Sequence, residues 1–168
     1  MTYIPHADLE ILALNCGVIT ISDTRTEKTD QSGQLIRELL QNAGHRIVIC
    51  QIIPDEPSQI QTKLSQWGAQ SQLDSLIFNG GTGIAPRDTT YDVLEGMLEK
   101  TLPGFGELFR FLSYQEIGSR AIASRATAGV YRQKLIFSLP GSTNAVKLAL
   151  EKLILPELSH LIRQLQQQ

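Results

Sequence analysis

The sequence predicts an α/β domain: a three-layer sandwich in which a mostly parallel sheet carries helices on both faces. Three observations lead there. Short apolar runs alternate with segments of helical period, and Gly, Pro and Asp fall at the joins between them. The chain has 168 residues with 42% hydrophobic content, enough to build one core without crosslinks. Residues 1–168 are therefore read as a single domain, because a second unit of independent size does not fit.

The elements follow in order. Gly17 to Ser22 (GVITIS) reads as a buried strand, followed by a polar loop from Asp23 to Gly33. Leu35, Leu39 and Leu40 then recur at helical spacing within Gln34 to Ala43, and Gly44 is a natural helix stop. His45 to Ile53 is rich in β-branched residues and ends at Pro54-Asp55-Glu56-Pro57. Ile60, Leu64 and Trp67 mark the inner face of the next helix, so Trp67 is expected in the core. Leu73 to Phe78 predicts a third strand that runs into a glycine cluster, with a helix over Tyr91 to Lys100 beyond it. A helix is expected over Gly106 to Gln115, with an irregular or strand-like passage through Ser119 to Val130. The strand Lys134 to Leu139 and a long amphipathic helix from Thr143 complete the pattern, with a break or kink expected at Pro156.

Composition narrows the partners. Fifteen Lys+Arg against seventeen Asp+Glu give a net charge of −2, which supplies no global positive field for nucleic acid or anionic membrane. Aromatic content of 6% without a basic stripe offers no platform for single strands. Cys16 and Cys50 both lie in apolar segments and are expected as reduced, structural thiols. Met1 to Glu10 has no Lys or Arg and so lacks the start of a secretory signal. The apolar stretch Ile11 to Ile21 is interrupted by Asn15 and Gly17 and is too short to span a bilayer. A cytoplasmic protein with no membrane partner is the resulting expectation. His6, His45 and His160 show no metal-ligand spacing, and no G-x-S-x-G elbow or nucleophilic Cys stands out.

In a parallel sheet ligands bind beyond the carboxyl ends of the strands, which here means the loops after Ser22, Ile53, Phe78 and Leu139. Gly80-Gly81-Thr82-Gly83 lets backbone N–H groups approach an anion, and Arg87 and Asp88 follow a few residues on. It is neither the dinucleotide nor the Walker A glycine pattern. Pro140-Gly141-Ser142 joins a strand to a helix, where Ser142 serves either a ligand or an ordinary N-cap. Asp55 and Asp88 both follow strands directly, and two such carboxylates can hold Mg²⁺ together with substrate phosphates. The alternative for each is a helix cap.

These segments resemble a known family. Ile21 to Arg25 with Asp30 to Gly33, then Pro54-Asp55-Glu56, then Gly80 to Asp88 (GGTGIAPRD), and finally Leu139 to Ser142 look like the molybdenum cofactor biosynthesis family that includes MoaB, MogA and the G domain of gephyrin. Gly104 to Gly118 and the run from Ser124-Arg125-Ala126 to Gly129 look specifically like the MoaB branch, and the likeness extends from about Leu14 to about Leu158.

The resemblance implies adenylylation of molybdopterin by ATP with release of pyrophosphate, Mg²⁺ as cofactor, and hand-over to a molybdenum-insertion enzyme. It also implies a homo-oligomer, hexamer or trimer. Asp55 and Asp88 match the catalytic pair that organises Mg²⁺ and the ATP phosphates. Gly80 to Gly83 (GGTG), with Arg87 beside it, and Ser124 match the pterin and phosphate contacts; Ser22, Asp23, Pro140, Gly141 and Ser142 match positions close to the nucleotide. The alternative is a non-catalytic molybdopterin-binding or scaffold protein. Two departures stand out: Thr89-Thr90-Tyr91-Asp92 replaces the common x-Thr-Pro-Glu, and Ser142-Thr143 replaces the Asn-Pro of MogA-like members. Phe105, Leu108, Phe109 and Leu112 have helical spacing and belong either to the core or to an interface.

Overall fold

The computed structural model describes residues 12–167. The sequence readings on Met1 to Glu10, including His6, lie outside them. The first strand, β1 (Asn15–Ile21), leads through α1 (Gln31–Asn42) to β2 (Arg46–Ile53), and α2 (Pro57–Gly68) leads to β3 (Ser75–Asn79). Then come α3 (Thr90–Met97), β4 (Lys100–Thr101), α4 (Pro103–Ile117), a 3-10 turn (Gly118–Ala123), β5 (Thr127–Tyr131) and β6 (Lys134–Leu139). The chain closes with α5 (Thr143–Ala149), a π turn (Leu150–Ile154) and α6 (Leu155–Gln166).

The sheet order is β2-β1-β3-β6-β5-β4. The pairs β1–β2, β1–β3 and β3–β6 are parallel, and the β6–β5–β4 edge is antiparallel. In register, Val18 lies beside Ile77, and Ile77 beside Phe137. Alternate side chains leave the sheet on opposite faces, which divides the core in two. On one face Val18, Ile77 and Phe137 meet Ile36 and Leu40 of α1, Phe109 of α4 and Val146 of α5. On the other, Ile19, Phe78 and Ile136 meet Ile60, Leu64 and Trp67 of α2 and Leu94 of α3. Each fully buried Ile, Leu or Phe contributes about 1.5–3 kcal/mol. Helices cover both faces, as the sequence predicts, and Trp67 is buried with its ring 6.1 Å from that of Phe78.

Several elements differ from expectation for identifiable reasons. The first helix starts at Gln31 because the Asp30 carboxylate caps it, accepting the Gly33 N–H at 3.0 Å. The helix expected to reach Lys100 stops at Met97, and Lys100–Thr101 instead pairs with Val130 and Gly129 of β5. The passage after Gly118 resolves into the 3-10 turn and β5. The long helix expected from Thr143 is interrupted just before Pro156, as expected, but by a widened turn and not by an end of the helix. The turn before it widens, with the Leu155 N–H bonding the Leu150 carbonyl, and so accommodates a residue that lacks an N–H and crowds the preceding turn.

Two side-chain expectations are corrected. Cys16 is buried but Cys50 is exposed, because β2 is an edge strand. Phe109 is fully buried and Phe105 and Leu112 pack on the same core, whereas Leu108 points outward. Phe111, Tyr114 and Ile117 are exposed beside Leu108, so α4 carries an apolar outer face that the sequence reading did not separate from its inner one.

Candidate functional site

Because β1, β2, β3 and β6 are parallel, the four loops singled out from the sequence emerge at one end of the sheet. The chain moves from β1 to β2 on one side and then returns to β3 on the other, so the crevice between β1 and β3 is the topological switch point. Gly80 and Gly81 lie there with φ of +104° and +65°. A side chain on Gly80 would strike the Ile21 carbonyl oxygen, and one on Gly81 would strike the Asp55 carboxylate and the Thr90 hydroxyl. Only glycine satisfies both demands. Gly141 comes close to the same loop, with the place of a Cβ on it 3.2 Å from the Gly80 Cα.

The two carboxylates flank this loop. Asp55 is buried against Gly81 and accepts from the Thr89 N–H at 3.2 Å, the Thr89 hydroxyl at 2.6 Å and the Thr90 hydroxyl at 3.1 Å. It therefore anchors the start of α3, reached across the crevice, and not the α2 helix that follows it in sequence. Asp88 is half-buried, and its Oδ2 lies 2.6 Å from the place a Cβ on Gly83 would take. Its carboxylate takes no hydrogen bond or ion pair among the described residues. A cavity of about 300 Å³ lies in front of it, lined also by Gly83, Thr89, Asp92 and Arg125. Thr82 is buried between the two glycines.

Arg87 is engaged by two carboxylates of neighbouring loops. Its Nε donates to Asp23 Oδ2 at 2.8 Å, its Nη2 to Asp23 Oδ1 at 2.9 Å, and its Nη1 to Glu56 Oε1 at 2.7 Å. The guanidinium thus ties together the loops after β1, β2 and β3. Its hydrogen bonds to Asp23 and Glu56 raise its pKa, and its bond to Asp23 holds that carboxyl below the usual carboxylate range. Asp23 Oδ1 also accepts the Asp55 N–H at 3.2 Å.

Ser22 shapes its own loop, since its Oγ accepts the N–H groups of Thr24 and Arg25 at 3.2 and 3.0 Å. Ser142 is an N-cap, accepting the Ala145 N–H at 3.2 Å. Ser124 shares a second cavity of about 180 Å³ with Pro140, Ser142 and Asn144. It is the next residue, Arg125, that reaches the cavity of the glycine loop.

Two arginines that the sequence reading did not single out as site residues stand at the site. Arg25 donates to Ser32 Oγ at 2.6 Å and to the Gly141 carbonyl at 2.9 Å, locking the first loop to the last. Ser32 in turn donates to Asn79 Oδ1 at 2.8 Å, inside a buried network with Thr20 and Asp30. The other is Arg125, 2.7 Å from Asp92 and 4.4 Å above the centre of the Tyr91 ring. The signal for both was the position of an arginine inside a motif segment.

Hard oxygen donors of this kind suit Mg²⁺, which takes one or two carboxylates and completes its shell with water and phosphate oxygens. Asp88, whose lone pairs are uncommitted, and Asp55 fit that pattern. Among the described residues no group of three or more His, Cys, Asp and Glu side chains forms an all-protein metal cage.

A family profile described as a probable molybdopterin binding domain matches residues 17–160. The chain belongs to that family. Molybdenum cofactor biosynthesis protein B of Halalkalibacterium halodurans is 55% identical over 153 residues, covering 90% of each chain. A crystal structure of a molybdenum cofactor biosynthesis protein B superposes with a TM-score of 0.91 at 47% identity, over 94% of this chain and 98% of that one. The tungsten cofactor synthesizing protein MoaB from Pyrococcus furiosus gives a TM-score of 0.83 at 36% identity, over 94% and 100%. This member of the molybdopterin-binding family is thus a molybdenum cofactor biosynthesis protein, with the mixed α/β sheet of its MoaB relatives. Among the described residues no helix is long and apolar enough to cross a membrane.

Proposed function

We propose that this chain adenylylates molybdopterin. An oxygen of the terminal phosphate of molybdopterin attacks the α-phosphorus of ATP, the bond to the β-phosphate oxygen breaks, and pyrophosphate leaves. The nucleophile is already an oxyanion, so the reaction needs positioning and charge neutralisation more than a strong base. The observation that carries this reading is the placement of Asp55 against Gly81 and of Asp88 against Gly83, which puts a carboxylate on each side of a loop built for backbone approach to an anion. Asp55 and Asp88 would hold Mg²⁺, whose charge when bound would offset that of the ATP phosphates. The Arg25 and Arg87 contacts fix the loops around them.

A second reading, a non-catalytic molybdopterin-binding or scaffold protein, has one observation in its favour: Asp55 is already engaged in anchoring Thr89 and Thr90 at the start of α3. Purified protein incubated with molybdopterin, Mg²⁺ and labelled ATP separates the two. Adenylylated molybdopterin and pyrophosphate are expected from the wild type and not from Asp88→Asn. Molybdopterin binding without product would establish the second reading.

We further propose a homo-oligomer, trimer or hexamer, assembled through the outer face of α4. Leu108, Phe111, Tyr114 and Ile117 recur every third residue, each more than half exposed, and a second copy would remove them from water. Light scattering should give a mass several times 18.6 kDa, reduced in Phe111→Glu. Release of adenylylated product to a molybdenum-insertion enzyme, and residence in the cytoplasm, belong to the same proposal.

A further inference from the structure

We infer that Arg125 is the residue that recognises the phosphate of the substrate in the cavity of Asp88; this rests on the adenylyltransferase reading for the identity of the substrate, but not for the existence of the anion site.

The charge balance of the cavity comes first. Asp88 and Asp92 both line it, and an anionic group entering alone would meet two carboxylates. In the absence of bound Mg²⁺, a cationic side chain must stand there for an anion to bind. The sequence points to Arg87, but the Nε, Nη1 and Nη2 atoms of that side chain all donate to Asp23 and Glu56. Arg125 is the cationic side chain among the lining residues.

Its geometry is that of a preset donor. The guanidinium lies 4.4 Å above the Tyr91 ring, and Nη2 approaches Asp92 Oδ2 at 2.7 Å. Stacking on one face and an ion pair at Nη2 fix the plane of the group and leave Nε and Nη1 with no hydrogen-bond partner among the described residues. Nη2 is fully buried, and its approach to Asp92 is too far off-line to count as a hydrogen bond, so this buried donor lacks an aligned acceptor. A phosphate monoester offers oxygens that match a planar fork two at a time. Tyr91 and Asp92 also stand where the resemblance shows this chain departing from x-Thr-Pro-Glu. The departure supplies the ring on which the arginine rests.

The probe is inorganic phosphate, which tests the site without turnover. Titration by calorimetry and by NMR of the arginine Nε–Hε signals should show saturable binding to wild type, with the Arg125 signal moving. Arg125→Gln should weaken phosphate binding about tenfold or more. Arg125→Lys, which keeps the charge but loses the fork, should recover only part of it. Arg87→Gln should change it less than Arg125→Gln does. The NMR titration needs no substitution, so a variant that fails to fold does not remove the test. An unmoved Arg125 signal, equal affinity in wild type and a folded Arg125→Gln, or no binding by the wild type would each overturn the inference. Loss of phosphate binding in Arg125→Gln from a protein that does not adenylylate molybdopterin would sustain it while sinking the proposed reaction. Active enzyme with phosphate binding untouched in Arg125→Gln would do the reverse.

Discussion

The carboxylate of Asp55 accepts both the backbone N–H and the hydroxyl of Thr89, the residue directly after Asp88. One acidic residue of the candidate pair thus holds the segment that carries the other. The two are therefore not equivalent, and substitution separates them.

Asp55→Ala leaves the Thr89 N–H and the Thr89 and Thr90 hydroxyls without their acceptor in a largely buried setting. The loss should be about 2–3 kcal/mol, seen in calorimetry as a melting temperature lower by about 5–10 °C. Asp88→Asn removes no hydrogen bond or ion pair among the described residues and should shift the melting temperature by no more than about 2 °C, while adenylyl transfer is lost. Equal destabilisation by both would contradict the division of roles.

Glycine substitutions should divide in the same way. Gly81→Ala must place a methyl group on the Asp55 carboxylate and the Thr90 hydroxyl at a φ of +65°, and should cost about 1–3 kcal/mol and the activity with it. Gly96, in the body of α3, faces open space with an ordinary φ. Gly96→Ala should stabilise the fold by about 0.5–1 kcal/mol in urea titrations and leave the site intact.

His45 is buried and its Nδ1 accepts the Leu14 N–H at 3.3 Å, so the folded protein keeps that nitrogen unprotonated. Burial lowers its pKa below the ordinary 6.5, partly offset by hydrogen bonding and by Asp74. The unfolded chain then binds the proton more readily than the folded one. The contribution to stability is whole above pH 6.5 and falls away as pH drops from there through the folded value. Urea midpoints should fall between pH 7.5 and pH 5.5, and His45→Gln should flatten that slope. An unchanged slope in the variant would assign it elsewhere.

The two cysteines should react in sequence. Cys50 is exposed on the outer strand, whereas burial, reinforced by Asp74, pushes the Cys16 thiol up to about 12. A thiol reagent at pH 8 should label one equivalent in the native protein and the second only on unfolding. Mass spectrometry of the native adduct should place the label on Cys50.

The sequence was most legible where a residue's role depends on its neighbours in the chain. Gly80 and Gly81 mark a turn that other residues cannot make, and Asp55, just after β2, and Asp88, nine positions past the end of β3 and not directly after it as the sequence suggests, stand in loops that the parallel order gathers together. It was least legible where the role depends on a distant partner. Nothing near Arg87 in the chain announces its ion pairs with Asp23, 64 positions away, and Glu56, 31 away. Asp55 looks like a cap for the helix next to it, yet it serves one that starts 35 positions on, at Thr90. The exposure of Cys50 follows from strand order, which local pattern does not encode. Pro156 announced an irregularity, but the widened turn that absorbs it depends on how the closing helices lie against the sheet.

The order β2-β1-β3-β6 has a consequence for biosynthesis. While the chain emerges from the ribosome, β3 has β1 on one side and nothing on the other until β6 is made, and in the interval Leu76, Ile77 and Phe78 form the apolar centre of an open edge. The Arg25 bond to Gly141, spanning 116 positions, closes at the same late moment. The nascent protein is thus most prone to aggregate just before it can first bind a ligand, and chaperone capture or slowed translation over residues 80–134 would act on that one vulnerable stage.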